Sequence, residues 1–210
     1  PFSDEDYLAH VDGRPRYDGV EGFLASRGIE LARGARTDAP EAETICGLGN
    51  RKDGYFRAEI DRHGVEVYGT TLELVAALRE LGVAVAAVSA SENQRLVLTS
   101  AGVTDVFDVL VDGVMARELG LVGKPDPALF LEAAERLGVS PARVAVVEDA
   151  RSGVAAGRAG GFGAVIGVDR SDGRVDLLDA GADEVVDDLG ELTVRRADDG
   201  GCWLEKRERP

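Results

Sequence analysis

A chain of 210 residues with 44% apolar and 30% charged side chains suits one medium globular domain, or a compact domain with a smaller appendage. Lys and Arg total 24 against 39 Asp and Glu, a formal charge of −15, which argues against nucleic acid and anionic membranes as partners. The longest apolar runs, such as residues 83–88, are strand-length and too short to span a bilayer.

The opening Pro1-Phe2-Ser3-Asp4-Glu5-Asp6 has neither a basic start nor an apolar stretch, so no secretory signal is expected and the cytoplasm is the default location. A first residue of Pro rather than Met points to a trimmed or partial chain. Cys46 and Cys202 are far apart and form no CxxC, which supports neither a disulfide framework nor a thiolate metal site. With His10 and His63 as the only histidines, acid–base work falls to carboxylates or lysines.

Up to about residue 64 the apolar residues recur at helical spacing: Tyr7-Leu8, Val11, Val20, Phe23-Leu24, then Tyr55-Phe56 and Ile60. Residues 1–64 therefore read as a small helical unit. From residue 65 the pattern alternates. A helix over 72–81 ends at Gly82, a strand follows at 83–88, and a helix at 92–100. Further strands are expected at 109–111, 143–147, 164–168 and 184–186, with helices at 127–137 and 152–159. Strands alternating with helices imply an α/β fold with a doubly wound parallel sheet over residues 65–194. Residues 195–210 read as a polar tail.

Ligands of such sheets bind beyond the carboxyl ends of the strands. Three of those ends carry distinctive groups. Ser89-Ala90-Ser91-Glu92-Asn93 presents hydroxyls and amides suited to a phosphate oxygen, or simply to capping the next helix. In Gly123-Lys124-Pro125-Asp126-Pro127 two prolines stiffen the loop that aims Lys124, either at a phosphate or at solvent. Glu148-Asp149 directly follows a buried strand. Two adjacent carboxylates there call for a compensating cation such as Mg2+, although Asp149 alone could serve as a helix N-cap.

These features, in this order, resemble motifs two, three and four of the haloacid dehalogenase superfamily. Together with Val11-Asp12-Gly13-Arg14-Pro15-Arg16, Gly47-Leu48-Gly49-Asn50-Arg51-Lys52, Gly157-Arg158-Ala159-Gly160 and Gly181-Ala182-Asp183, they are most similar to its β-phosphoglucomutase-like subfamily. The resemblance implies a Rossmann-like core with a helical cap and Mg-dependent phosphoryl transfer on a small phosphorylated sugar or metabolite. It assigns Ser89 and Lys124 to the transferring phosphoryl group, and Glu148 and Asp149 to Mg2+. Arg16, Lys52, Ser91 and Asn93 are assigned to the rest of the substrate. A phosphatase of a small metabolite is the near alternative. A non-catalytic module fused to, or associated with, other carbohydrate-metabolism domains is the distant one.

One motif is absent. The family's first motif is a buried strand ending in Asp-x-Asp-Gly, whose first Asp is the nucleophile. Asp4-Glu5-Asp6 follows no strand and reads as a helix-start charge cluster. Asp112-Gly113 falls between motifs two and three. The nucleophile is thus expected outside this chain, which alone is predicted inactive. In the family the absent strand lies between those ending at Ser89 and Glu148, so these two are expected to stand two spacings apart, roughly 9.5 Å. Tyr68-Gly69-Thr70 also departs from the family, where a proline usually follows the tyrosine.

Overall fold

The computed structural model describes residues 2–170, 173–196 and 201–207. Its first third is helical: α1 (Asp4–His10), α2 (Arg16–Ser26) and α3 (Ile45–His63), with no strand among the described residues before Ala86. Local chemistry accounts for the ends. Ser3 and Asp6 form a reciprocal capping box on α1, which gives the acidic opening its helix-start role. Thr44 caps α3 by accepting from the Gly47 N–H at 2.9 Å. Tyr17, Ile45 and Cys46 form the buried centre of this unit, with Val20, Leu24 and Leu31 around them. Gly49 permits the close approach of α2 and α3, because a Cβ there would lie 2.6 Å from the Tyr17 ring.

Next come α4 (Gly69–Glu80), β1 (Ala86–Val88), α5 (Gln94–Ser100), β2 (Val109–Val111), α6 (Gly113–Leu119) and α7 (Ala128–Leu137). They are followed by β3 (Ala145–Glu148), α8 (Arg151–Ala159), β4 (Ala164–Val168), α9 (Arg174–Asp179) and β5 (Glu184–Val186). Glycine replaces the family's proline at the first position of α4 without preventing the helix. All pairings among these five strands are parallel, so the fold is the expected α/β type. The sheet is in two pieces, β1-β2 and β3-β4-β5. Among the described residues, β1 and β3 are not hydrogen-bonded to each other, and each keeps one unpaired edge. Helix α7 bridges the pieces. Leu129 and Ala133 pack with Val111 of β2, whereas Phe130 and Ala134 join Val146 of β3, with Val88 of β1 against the same cluster. β4 is buried along nearly its whole length, while Ala145 and Val147 of β3 are exposed. Strand β3 therefore has apolar residues without cover on one face, which is costly at roughly 25 cal/mol per Å2.

The end of the chain corrects the sequence reading. In place of a polar tail from residue 195, β6 (Leu192–Arg196) and β7 (Cys202–Lys206) pair as an antiparallel hairpin. Val194 and Leu204 face each other and pack against a cluster of Leu74, Ile166, Val168, Val186, Leu189 and Leu192. Burial of alternate residues organises this segment despite its charged outer face. Trp203 of β7 lies half-exposed on the other side. Residues 197–200 and 208–210 of the expected tail lie outside the described residues. No helix among the described residues is long and apolar enough to cross a membrane.

Candidate functional site

The polar groups singled out above gather at the carboxyl ends of β1 and β3 and on the facing helical unit. After β1, the Ser91 N–H donates to Ser89 Oγ at 3.1 Å, and the Asn93 N–H to Ser91 Oγ at 3.1 Å. Both hydroxyls thus hold the loop's own backbone, yet each keeps its O–H proton available to donate. The Asp112 carboxylate after β2 caps α6 and pairs with Arg95, a structural role.

Lys124 and Glu148 form an ion pair with side chains only 6% and 9% exposed. The ammonium also lies 4.8 Å from the centre of the Phe130 ring. Since Val88, next to Ser89, packs into the cluster containing Phe130, the ends of β1 and β3 meet the lysine through one apolar floor. Glu148 is seated against Gly153 at the start of α8, where a Cβ would fall 2.2 Å from its Cδ. Asp149, 56% exposed, pairs with Arg170 at 3.3 Å, and Arg170 lies over the Tyr68 ring.

Asp12, from the turn between α1 and α2, was not anticipated here. Burial pushes its carboxyl above the usual carboxylate range, and the charges of Asp149 and Glu148 push it further. The Gly13 N–H and Lys124 oppose them. Gly13 at φ +67° brings this turn onto α8, where Ser152 Oγ is buried without a hydrogen-bond partner.

Across the cleft, Arg16 donates to Asp53 Oδ1 at 2.6 Å, and so does Asn93 Nδ2 at 2.5 Å. Arg57 completes the group, holding Asp53 Oδ2 at 2.9 Å and Asn93 Oδ1 at 2.7 Å. Burial pushes the neighbouring Lys52 ammonium down, and the Arg16 charge adds to that, with Asp53 opposing. Farther along, Arg36 of the helical unit and Arg117 of α6 both pair with Glu92. Arg36, Asp53 and Arg57 escaped the sequence reading because nothing in their local pattern marks them, and Asp12 stood inside a recognised segment without being given a role. Only docking of the helical unit on the β1 loop brings them to the cleft.

Two cavities adjoin across Pro15 and Gly123. The larger, about 940 Å3, is lined by Asp12, Arg14, Lys124, Asp149 and Ser152 among others. The smaller, about 130 Å3, has Arg16, Arg36, Ala90, Glu92 and Arg117 in its wall. Of the anticipated residues, Lys124, Glu148 and Asp149 come together. Arg16, Lys52 and Asn93 form a second group around Asp53. Ser89 and Ser91 line neither cavity and stand in the loop leading to Asn93.

No group of three or more His, Cys, Asp or Glu among the described residues has the arrangement of a protein-only metal cage. Magnesium does not need one, since it takes one or two carboxylates and completes its shell with water and phosphate oxygens. The donor set Glu148-Asp149 fits that habit. Burial is the main cause of the upward push on Asp12, and the Asp149 and Glu148 charges add to it against the opposing Lys124.

Residues 4–161 match the family model described as haloacid dehalogenase-like hydrolase. A β-phosphoglucomutase of Mycobacterium bovis is 47% identical over 191 residues, covering 89% of this chain and 72% of that protein. An uncharacterized glycosyl hydrolase of Mycobacterium tuberculosis is 39% identical over 198 residues, 94% of this chain but 15% of its own length. Among solved structures, β-phosphoglucomutase from Clostridium difficile superposes with a TM-score of 0.74, covering 91% of this chain and 78% of that one at 22% identity. At that identity the superposition speaks for the fold.

Proposed function

The chain belongs to the haloacid dehalogenase-like hydrolase family, and on that premise we propose that it is the cap and most of the core of a Mg2+-dependent phosphotransferase acting on a sugar phosphate, most like a β-phosphoglucomutase. Residues 1–64 serve as the cap and 65–194 as the core. The observation that carries this reading is the pair of adjoining cavities, one with Lys124 and Asp149 in its wall and the other with Arg16. A sugar phosphate carried through a bisphosphate needs two such places, one for the moving PO3 unit and one for the phosphate that stays.

In this scheme Glu148 and Asp149 hold Mg2+, which when bound offsets the charge of the phosphoryl oxygens. Lys124 adds a fixed positive charge beside that group, and Ser89 donates its O–H to a phosphoryl oxygen. Arg16, Lys52, Ser91 and Asn93 fix the far end of the substrate, so the acceptor hydroxyl is presented in line. The closed helical unit excludes water, favouring transfer to sugar over hydrolysis.

The nucleophile is an aspartate on a strand outside these 210 residues, inserted between β1 and β3. The unpaired inner edges and the exposed Ala145 and Val147 support that placement. The chain without that strand is inactive, and the protein works in the cytoplasm. The decisive experiment supplies the strand by fusion and offers β-glucose 1-phosphate, a trace of the 1,6-bisphosphate and Mg2+. Glucose 6-phosphate is the expected product. Release of inorganic phosphate alone would replace the mutase reading with a phosphatase. The match to a small share of a much longer glycosyl hydrolase favours a second arrangement, in which such a unit is one domain of a larger carbohydrate-active protein.

A further inference from the structure

Asp53 occupies an unusual place for a carboxylate. Its Oδ1 receives hydrogen bonds from Arg16 on α2 and from Asn93 in the loop after β1, two of the groups assigned to the substrate's far end. Donors from two separate elements, one in each half of the molecule, converge on one oxygen. This is how an anionic oxygen of a ligand is held. The other oxygen accepts from Arg57, which sits one helical turn away on α3 and lies at the same time against Asn93.

Lys52 supplies a second, independent observation. Its side chain is solvent-exposed beside Arg16 and makes no ion pair among the described residues. An ammonium next to a guanidinium is unfavourable unless an anion joins them. Arg16, Lys52 and Arg57 together bring three positive charges to the group and Asp53 returns one negative charge. Room for a dianion is thus present in the charge balance of a chain whose net charge is −15.

We propose that Asp53 is an internal placeholder: its carboxylate fills the anion position of Arg16, Asn93 and Lys52 until the substrate's non-transferring phosphate displaces it. This rests on the phosphate-binding role given above to Arg16 and Asn93. On displacement Asp53 retains its i,i+4 partner Arg57, so the carboxylate is not left unpaired. The exchange makes binding selective. A phosphate dianion with four oxygens outcompetes the resident carboxylate, whereas a carboxylated or uncharged sugar gains too little to evict it. It also keeps the cap closed on the β1 loop when no substrate is present, because the same carboxylate links the two halves.

The test is calorimetric titration of the 210-residue chain with inorganic phosphate and with glucose 6-phosphate. Asp53→Asn keeps the shape and removes the competing charge, so both ligands should bind roughly fivefold or more tightly. Discrimination against gluconate should shrink. Arg16→Ala should lose most of the binding in either background. Unchanged or weaker binding by Asp53→Asn, with its melting temperature intact, overturns the placeholder while leaving the subsite in place. Equal binding by wild type and Arg16→Ala removes the subsite itself, and the placeholder with it. Should Asp53→Asn fold poorly, the Asn93 side-chain amide resonance of the wild type decides. It must shift on adding phosphate, and a resonance that stays put overturns the proposal.

Discussion

Lys124 donates to Glu148 in an ion pair almost withdrawn from water, at the mouth of a sheet whose two pieces share no ladder of hydrogen bonds among the described residues. Removing one member leaves the other buried and uncompensated, which costs about 3–5 kcal/mol. Lys124→Met should therefore lower the urea midpoint sharply, and Lys124→Met/Glu148→Gln should recover most of the loss. Equal destabilisation by the single and double variants would falsify the coupling.

Gly153 should be as sensitive as the pair itself. A methyl group there meets Glu148 Cδ, so Gly153→Ala forces the carboxylate off its seat at a cost of about 1–3 kcal/mol. Because the displaced group is a proposed Mg2+ ligand, Mn2+ binding followed by electron paramagnetic resonance should weaken in step. A variant that melts early but binds Mn2+ normally would mean that Glu148 is not a metal ligand.

Asp149 should behave in the opposite way. It is exposed and its pair with Arg170 is solvent-screened, so Asp149→Ala should leave stability within about 0.5 kcal/mol. In the protein supplied with the nucleophile strand, the same change should abolish Mg2+-dependent turnover. Unchanged kinetics would remove Asp149 from the site.

Asp53 sets the pH behaviour of the cap. Burial pushes its carboxyl up, but the hydrogen bonds from Asn93 and Arg57 and the charges of Arg16 and Arg57 outweigh this and hold it below the usual range. Its folded value thus lies under its unfolded one, so its contribution is complete above the ordinary carboxylate pKa of about 3.9 and is lost as pH falls through the depressed value. Limited proteolysis of the loop between α2 and α3 should be flat through neutral pH and accelerate only in acid. Asp53→Asn should remove that acid step.

How much of this was legible in the sequence follows from the range of the forces involved. The motifs at 89–93, 123–127 and 148–149 are short-range signals, each tied to the end of one element, and they locate the rim without a structure. The five parallel strands were readable because continuous apolar runs such as 164–168 are buried on both faces. The hairpin β6–β7 was hidden. Its alternation of Leu192, Val194, Cys202 and Leu204 is diluted by Arg195 and Glu205 on the open face and by Arg196 and Lys206 at the strand ends. Asp-Asp-Gly-Gly at 198–201, a turn composition, was the signal that could have exposed it. Helices α6 and α9 are only 7 and 6 residues long, too short for a periodic pattern to build up. Asp53 itself was beyond reach, since its partners Arg16 and Asn93 are 37 and 40 residues away.

The placement of Trp203 on β7 gives the molecule two optical reporters. All four tyrosines, Tyr7, Tyr17, Tyr55 and Tyr68, come in the first third of the chain, and the single tryptophan sits on the closing hairpin. Excitation at the red edge of the absorption band therefore watches only that hairpin. Shorter wavelengths add the helical unit, through Tyr7, Tyr17 and Tyr55, and the start of α4, through Tyr68. Without any label, one denaturation series can reveal whether the halves come apart together or in sequence.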